Sequence, residues 1–268
     1  MKQNTLKLNT GASIPQLGFG TWQINPSSRA EKATLAAFEA GYRHVDTARV
    51  YLNEKGVGHA IKNSTLPRED IFLTTKLWRG EKNVAKALDK SLKRLDQDYV
   101  DLYLMHWPQD DRIEAWKVME QLHKDGTAKA IGVSNFTVRH LTELMEQTDI
   151  VPAINQVEFH PFLYQKELLE FCNKHGIIVE AYSPLAHGSK LADPTIVEVA
   201  THYDKSPAQI MIRWAVEHDM VVIPKSKNPE RIAQNLDVLD FKIDKNDMAL
   251  LDNLNEDLRT CWDPTNAA

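Results

Sequence analysis

Four residues of unlike chemistry stand near the ends of short apolar runs in this sequence. Asp46 and Tyr51 occur in HVDTARVY, Lys76 in IFLTTKL and His106 in YVDLYLMHW. A phenol has a pKa near 10, and it becomes a usable acid near neutral pH when an adjacent cation lowers that pKa. Lys76 is the candidate cation, Asp46 would hold its ammonium in place, and His106 would hydrogen-bond a substrate oxygen. The four residues predict a proton donor directed at a carbonyl.

A carbonyl that gains a proton on oxygen also needs a hydride on carbon, which no side chain supplies and a nicotinamide cofactor does. The sequence has no G-x-G-x-x-G after a strand, which disfavours a Rossmann site. It has instead VVIPKSKNPERIAQN, in which Lys225, Ser226 and Arg231 gather after a strand and Asn235 follows. This segment is read either as a solvated turn or as a phosphate site, and the proton donor favours the phosphate site.

The sequence lacks the residue patterns that metal-dependent or nucleophilic catalysis would need. A metal site at a strand end would need paired ligands such as H-x-H, whereas His106 is followed by Trp107 and Pro108. No G-x-S-x-G motif provides an activated serine. Cys172 and Cys261 fit no disulfide framework or zinc spacing. We therefore expect no metal and treat both thiols as structural.

The elements that would position these residues alternate along the chain. Apolar or β-branched runs are separated by helical stretches such as RAEKATLAAFEAG and NVAKALDKSLKRL, which is typical of parallel βαβ units. The first segment, TLKLNTGASIPQ, differs because a period-two run, a turn and a second short run predict a hairpin. The predicted strands are HVDTA, IFLTTKL, YVDLYLMHW, AIGVSNF, INQVEF, IIVEAYSP and MVVIPKS.

The polar residues at the strand ends recur at about one βα repeat. Thirty residues separate Asp46 from Lys76 and Lys76 from His106, and the next intervals are 28, 22 and 26 residues to Ser134, Gln156 and Tyr182. In a closed parallel barrel these ends converge at one mouth, where barrel enzymes place their chemistry. The pattern predicts an α/β protein with a (β/α)8 TIM barrel and an N-terminal β-hairpin closing its bottom. No linker divides the chain, so one domain over 1–268 is expected.

Composition excludes several classes of partner. The 268 residues are 43% hydrophobic and 26% charged, with a net charge of −5, and this balance offers no basic surface for nucleic acid. No apolar run approaches a membrane span of ~18 residues, and the N-terminus lacks the apolar region of a signal peptide. We expect a cytoplasmic monomer that binds a small-molecule carbonyl, with no nucleic-acid or membrane partner.

Eight ordered blocks resemble the aldo-keto reductases over nearly the whole chain, and within that family the short bacterial 2,5-diketo-D-gluconate and methylglyoxal reductases. The blocks are GFGTW, GYRHVDTARVYLNEKGVG, TTKLW, DYVDLYLMHWP, IGVSNF, INQVEFHP, AYSPLA and IPKSKNPERIAQN. The resemblance implies a (β/α)8 barrel that binds NADPH in an extended conformation.

Position by position, the resemblance implies a role for each site residue. Tyr51 becomes the general acid, Lys76 and Asp46 lower its pKa, and His106 orients the carbonyl. The implied cofactor contacts are Ser134, Asn135 and Gln156 at the nicotinamide carboxamide, Tyr182 stacked on the ring, Ser183 and Leu185 along the pyrophosphate, Lys225, Ser226 and Arg231 at the 2′-phosphate, Asn235 at the adenine, and Thr21, Trp22 and Asp46 beside the cofactor.

Trp22, Trp78 and Trp107 match the aromatic residues that wall the substrate pocket in the family, together with His106. Packing at the barrel rim is the alternative interpretation of these indoles. The C-terminal segment, which carries Cys261 and Trp262, is short compared with longer relatives. A short segment predicts an open pocket and favours small polar carbonyls.

Two functions of different classes follow. The first is an NADPH-dependent reductase of small aldehydes and ketones such as methylglyoxal and 2,5-diketo-D-gluconate. The second is a regulatory barrel that binds the cofactor with little turnover. The complete set of four catalytic residue types favours the first.

Overall fold

A computed structural model describes residues 4–267. Strands and helices alternate through most of this range, as the sequence predicts. The strands are β1 Thr5–Lys7, β2 Ser13–Pro15, β3 Phe19–Gly20, β4 His44–Asp46, β5 Phe72–Leu77, β6 Val100–Met105, β7 Ala128–Ser134, β8 Ile154–Glu158, β9 Ile178–Tyr182 and β10 Val221–Val222. The helices are α1 Ser27–Ala40, α2 Glu54–Asn63, α3 Val84–Leu95, α4 Arg112–Lys124, α5 Val138–Gln147, α6 Lys166–Lys174, α7 Pro194–His202, α8 Pro207–Glu217, α9 Pro229–Leu236 and α10 Lys245–Asp252.

Strands β3 to β10 form one parallel sheet in which each strand pairs with its neighbour in the chain. The first and last strands also meet, because the Gly18 N–H donates to the Val222 carbonyl at 2.9 Å and the Val222 N–H donates to the Gln16 carbonyl at 2.9 Å. These bonds close the sheet, and the predicted (β/α)8 barrel is confirmed.

The N-terminal hairpin is also confirmed. Strands β1 and β2 pair antiparallel, with Leu6 opposite Ile14, and Gly11 turns the chain with a φ of +86°. Leu8 and Ile14 are buried in a cluster with Phe72, the first residue of β5. Because Phe72 stands at the amino end of its strand, the hairpin covers the bottom of the barrel.

The strands are buried on both faces, as expected where helices cover a parallel sheet. Every residue of β5 is buried. Helix α3 begins at an Asn83 cap whose side chain accepts from the Lys86 N–H, and α8 begins at a Ser206 capping box with Gln209. Within residues 4–267, no helix is long and apolar enough to cross a membrane.

Candidate active site

The carboxyl ends of the strands surround a cavity of about 980 Å³, which is at the upper end of the ~300–1,000 Å³ typical of ligand pockets. Asp46 ends β4, Lys76 is the penultimate residue of β5, and His106 directly follows β6. Ser134 and Tyr182 end β7 and β9. Polar residues that are about one βα repeat apart in the sequence therefore lie on neighbouring strands at the carboxyl end of the barrel.

Lys76 is the centre of a compact polar group. Its Nζ lies 2.6 Å from both carboxylate oxygens of Asp46, 3.0 Å from the Thr47 carbonyl and 3.2 Å from the Tyr51 hydroxyl oxygen. Lys76 is 1% exposed and Asp46 is 2% exposed. A single turn of 3₁₀ helix, Arg49–Tyr51, follows β4 and returns the phenol to the ammonium. The Tyr51 side chain borders the cavity.

The sequence predicts that Lys76 lowers the pKa of Tyr51, whereas the net shift of that pKa in this structure is upward. Burial raises the pKa of Tyr51 well above 10, and the carboxyl groups of Asp46 and Glu180 raise it further. The physical reason is that Asp46 neutralises the ammonium at 2.6 Å, so the ion pair does not offset the desolvation of a phenolate. Tyr51 is therefore a protonated phenol at neutral pH.

His106 stands beside the phenol. Its ring centroid is 5.6 Å from that of Tyr51 and 5.2 Å from that of Trp78, in edge-to-face geometry. Burial and the Lys76 charge hold the pKa of His106 well below its ordinary value. The imidazole is therefore neutral, with one N–H and one acceptor nitrogen, and its Nδ1 has no hydrogen-bond partner among the described residues.

A chain of amides and hydroxyls continues around the mouth from the ion pair. Gln156 Nε2 donates to Asp46 Oδ2 at 2.9 Å, and the Ser134 hydroxyl donates to the Gln156 carbonyl at 2.8 Å. Asn135 Nδ2 donates to Ser134 Oγ at 3.0 Å and Tyr182 Oη donates to Asn135 Oδ1 at 2.8 Å. These bonds fix the side chains that are predicted to hold a nicotinamide carboxamide.

Glu180 is a buried acid beside this chain that the sequence reasoning did not identify. Its Oε2 accepts from Gln156 Nε2 at 2.7 Å, so the Gln156 amide bridges it to Asp46. Its Oε1 lies 3.6 Å from His44 Nε2. Burial, then the Asp46 charge, raises the pKa of Glu180 to about 8. A charged residue within the apolar run IIVEAYSP is the signal that could have revealed it.

The far end of the cavity is formed by the turn after β10 and by helix α9. Lys225, Ser226, Arg231 and Asn235 all border the cavity. Asn228 caps α9 by accepting from the Arg231 N–H at 3.1 Å. Among residues 4–267, neither Lys225 nor Arg231 forms a salt bridge with a carboxylate. Two cations and a helix N-terminus favour an anionic group here.

Most of the predicted site residues border the one cavity, and Thr21 does not. The Thr21 hydroxyl is fully buried and donates to the Asp46 carbonyl at 2.9 Å, so it supports the backbone of Asp46 rather than facing a ligand. Lys76 lies behind Asp46 and Tyr51. The predicted residues that border the cavity are Trp22, Asp46, Tyr51, Trp78, His106, Trp107, Ser134, Asn135, Gln156, Tyr182, Ser183, Leu185, Lys225, Ser226, Arg231 and Asn235.

The C-terminal segment completes the cavity wall. Trp262 packs near Trp107 with ring centroids 5.8 Å apart. Cys261 lies with its sulfur 3.4 Å from His187 Nε2, so it borders the cavity, whereas Cys172 is in the core. The structure therefore places one of the two thiols, Cys261, at the cavity wall. Among residues 4–267, no three His, Cys, Asp or Glu side chains are arranged to hold a metal ion.

Comparison with known proteins identifies the class. The sequence profile of the Aldo/keto reductase family matches residues 16–256. The chain belongs to this family, and it is an oxidoreductase of the aldo-keto reductase class.

Individual relatives cover almost the whole chain. It is 44% identical to the glyoxal reductase of Bacillus subtilis, over 98% of this chain and 96% of that protein. It is 46% identical to the methylglyoxal reductase DkgA of Escherichia coli K12, over 97% of this chain and 96% of that protein. An aldo-keto reductase of Bombyx mori, solved in complex with NADP, superimposes with a TM-score of 0.92 at 36% identity, covering 97% of this chain and 95% of that one.

Proposed function

We propose that this enzyme uses NADPH to reduce small aldehydes and ketones to alcohols, with Tyr51 as the proton donor. The observation that carries the proposal is the Tyr51 hydroxyl, which borders the cavity with its oxygen 3.2 Å from Lys76 Nζ. Methylglyoxal, glyoxal and 2,5-diketo-D-gluconate are the candidate substrates. Two relatives of this chain, a glyoxal reductase and a methylglyoxal reductase, support the first two.

The phenol provides a proton that is present at neutral pH. Because its pKa lies well above 10 in this structure, Tyr51 is protonated when substrate binds. As the carbonyl oxygen becomes basic, the proton moves from Tyr51 to it. Lys76 stabilises the phenolate that develops, since its ammonium already lies within hydrogen-bonding distance. Asp46 holds the ammonium in that position through both carboxylate oxygens.

His106 fixes the direction of the carbonyl. As a neutral imidazole it donates one hydrogen bond to the substrate oxygen without competing with Tyr51 as an acid. Its edge-to-face packing against Trp78 and Tyr51 restricts the ring. The carbonyl oxygen would therefore lie between the phenol and the imidazole, which brings the donor into reach.

The residues along the cavity fit NADPH. When bound, NADPH supplies the hydride that reaches the carbonyl carbon. Ser134, Asn135 and Gln156 would hold its carboxamide, and Tyr182 would stack on the nicotinamide. At the opposite end Lys225 and Arg231, which have no carboxylate partner in the described chain, would bind the 2′-phosphate. The NADP-bound structure of a 36% identical relative supports this assignment.

Turnover with defined carbonyls tests the proposal. NADPH consumption is followed at 340 nm with methylglyoxal, glyoxal, 2,5-diketo-D-gluconate and 4-nitrobenzaldehyde. We expect steady consumption with the dicarbonyls, with one alcohol formed for each NADPH oxidised. A fluorescence titration that detects NADPH binding, without consumption in the presence of any carbonyl, would indicate a cofactor-binding regulatory barrel and contradict the proposal.

A further inference from the structure

Glu158 is a buried carboxylate at the mouth that none of the steps above uses. It is the last residue of β8, directly opposite Tyr182 in β9, and it is 1% exposed. Ionised carboxylates at such depth are expensive unless several donors satisfy them. The donors that contact Glu158 therefore show what the residue holds.

Three of those donors belong to the C-terminal segment, about 100 residues further along the chain. The Thr260 N–H donates to Glu158 Oε1 at 2.8 Å, and the Thr260 hydroxyl donates to the same oxygen. The Cys261 N–H donates to Oε2 at 3.1 Å. His160 Nε2 lies 3.4 Å from Oε1 and is the remaining partner. One carboxylate thus fixes two consecutive residues of a segment that has no helix or strand of its own.

The fixed residues directly precede an indole of the cavity wall. Trp262 follows Cys261, borders the cavity, and stacks near Trp107 at 5.8 Å. Its other neighbour is the Arg79 guanidinium, 5.5 Å from the indole centroid. Trp262 is nevertheless 62% exposed, so these two contacts are weak restraints for a large ring. The hydrogen bonds at Thr260 and Cys261 hold the two residues that directly precede the indole, and they are charge-assisted.

The electrostatics of Glu158 agree with an anchoring role. Burial alone would raise its pKa, but the hydrogen bonds from His160, Thr260 and Cys261 hold the pKa below its ordinary value. The carboxylate is therefore ionised at neutral pH and accepts charge-assisted hydrogen bonds, which are roughly twice as strong as neutral ones. Its amide analogue would lose the charge and would place an N–H where an acceptor is needed.

We propose that Glu158 determines substrate preference by anchoring Thr260 and Cys261, so that Trp262 forms the outer wall of the substrate pocket. Glu158 is a positioning residue, because it acts through Trp262 and contacts neither the phenol nor the imidazole. The inference rests on the proposed function for its kinetic consequence. The geometric part, that Glu158 holds Trp262 in place, can be tested without turnover.

The kinetic test compares a large aromatic substrate with a small one. In the Glu158→Gln variant, kcat/KM for 4-nitrobenzaldehyde should fall roughly 3- to 10-fold, the size of one lost aromatic contact. The change should be mainly in KM. Methylglyoxal, which has no aromatic ring to contact the indole, should change by less than about twofold. Trp262→Ala should reproduce this selectivity.

A double-variant cycle establishes that the effect passes through Trp262. If Glu158 acts by placing the indole, Glu158→Gln should add nothing to the selective loss that Trp262→Ala already causes. An equal additional loss in the double variant would overturn the proposal.

Glu120 offers a matched control. Its Oε1 also accepts from two main-chain N–H groups, those of Asp149 and Ile150, at 2.9 and 2.8 Å, but these residues precede β8 at the bottom of the barrel. Glu120→Gln should lower the melting temperature without changing the ratio of the two substrates. If it changes that ratio as Glu158→Gln does, the effect is general destabilisation and the proposal is wrong.

Fluorine NMR of protein labelled with 5-fluorotryptophan supplies the activity-independent readout. The Trp262 resonance is assigned with Trp262→Phe, and it should shift and narrow in the Glu158→Gln variant as the ring gains mobility. Thr260→Val removes one donor and keeps the carboxylate, so it should shift the Trp262 resonance in the same direction by a smaller amount. This variant replaces Glu158→Gln in the test if Glu158→Gln does not fold. An unchanged Trp262 resonance in both variants would overturn the proposal. Lack of turnover by the parent enzyme would count only against the proposed function.

Discussion

At the scale of single residues, the site contains more buried acid than its one buried ammonium can neutralise. Asp46 and Glu180 share the Gln156 amide, while the ion pair of Lys76 is with Asp46 and not with Glu180. Glu180 therefore keeps its proton near neutral pH, with a pKa of about 8. His44, 3.6 Å away, is the opposite case, because burial and the Lys76 charge lower its pKa to about 3.

Glu180→Gln should change how stability depends on pH. The carboxyl of Glu180 has a pKa of about 8 in the folded protein against 4.5 unfolded, so the folded state binds more protons between these values. Its contribution to the free energy of unfolding therefore falls as pH rises from about 4.5 to 8. The variant should lack this loss and gain stability relative to the parent, on the order of a few kcal/mol by pH 8.

Urea unfolding of both proteins from pH 5 to pH 8.5 measures the difference. Groups that titrate alike in the two proteins cancel. His44 contributes a loss in the acid direction, as pH falls below its unfolded pKa of 6.5, and this loss should remain in the variant. Parallel stability curves from pH 5 to pH 8.5 would mean that Glu180 is not a proton-holding group.

Much of the candidate site could be predicted from residue types that recur at regular spacing in the sequence. The hydrogen-bond partners of those residues could not be predicted in this way. Asp46, Lys76 and His106 could be predicted because unlike titratable groups interrupt apolar runs at equal intervals. The upward shift of the Tyr51 pKa could not be predicted from the sequence. It depends on how deeply the phenol is buried and on Glu180, which belongs to a strand more than 120 residues away in the chain. The hydrogen bond of the Thr21 hydroxyl to the Asp46 carbonyl was out of reach for a similar reason, since only the structure shows it.

At the scale of elements, the turn between β10 and α9 is the candidate segment that distinguishes NADPH from NADH. Lys225 and Arg231 are exposed beside the cavity, and α9 directs its N-terminus to the same place. Burial, then the neighbouring Lys227, lowers the pKa of Lys225.

Lys225→Gly combined with Arg231→Ala should weaken NADPH binding and leave NADH nearly unchanged. Each charge-assisted bond to phosphate is worth about 1.5 to 3 kcal/mol, and exposure moves the total toward the lower end, or roughly 10²-fold in Kd. The salt dependence of NADPH binding should also flatten.

Fluorescence titrations of both cofactors at two ionic strengths measure these effects. Lys227→Ala is the matched control, since Lys227 is an exposed cation on the same turn that does not border the cavity. Equal losses for NADH and NADPH would show that the turn is only structural.

Helix α2 illustrates an element whose packing requires a glycine. A Cβ on Gly58 would lie 2.2 Å from the carbonyl oxygen of Leu95, the last residue of α3. In an open helix, alanine is more stable than glycine by about 0.5–1 kcal/mol, but here the two helices would have to separate.

Gly58→Ala should therefore destabilise the protein by about 1–3 kcal/mol, as overpacking does. Thermal melts beside Lys55→Ala, a change at an exposed position of the same helix, provide the measurement. A gain in melting temperature for Gly58→Ala would contradict the packing described here.

Elements with long periodic signals were predictable, and short ones were not. Seven strands follow from apolar or β-branched runs, whereas the eighth barrel strand, β3 Phe19–Gly20, lies in GFGTW, where glycines interrupt any such run. The barrel closes through backbone bonds at Gly18 and Gly20, and these bonds leave no mark on side-chain pattern.

At the scale of the whole molecule, the barrel explains how residues far apart in the chain act together. Parallel strands that follow one another place Asp46, Lys76 and His106 side by side, and the turn after β4 adds Tyr51. The C-terminal segment then returns over the mouth, where Glu158 holds it. The barrel fold and the position of the site at the strand ends could be predicted from the βα repeat. The path of the C-terminal segment over the cavity could not, because that segment has no periodic pattern.

The central claim is that Tyr51 is the acid, and Tyr51→Phe tests it most directly. With saturating NADPH, kcat/KM for methylglyoxal should fall by roughly 10² to 10⁴ or more, the contribution of general acid catalysis, while the Kd for NADPH stays within about twofold. Tyr99→Phe makes the same chemical change just before β6, at the opposite end of the barrel, and should leave the rate unchanged. Reduction of methylglyoxal by the Tyr51→Phe variant at near the parent rate would contradict the account.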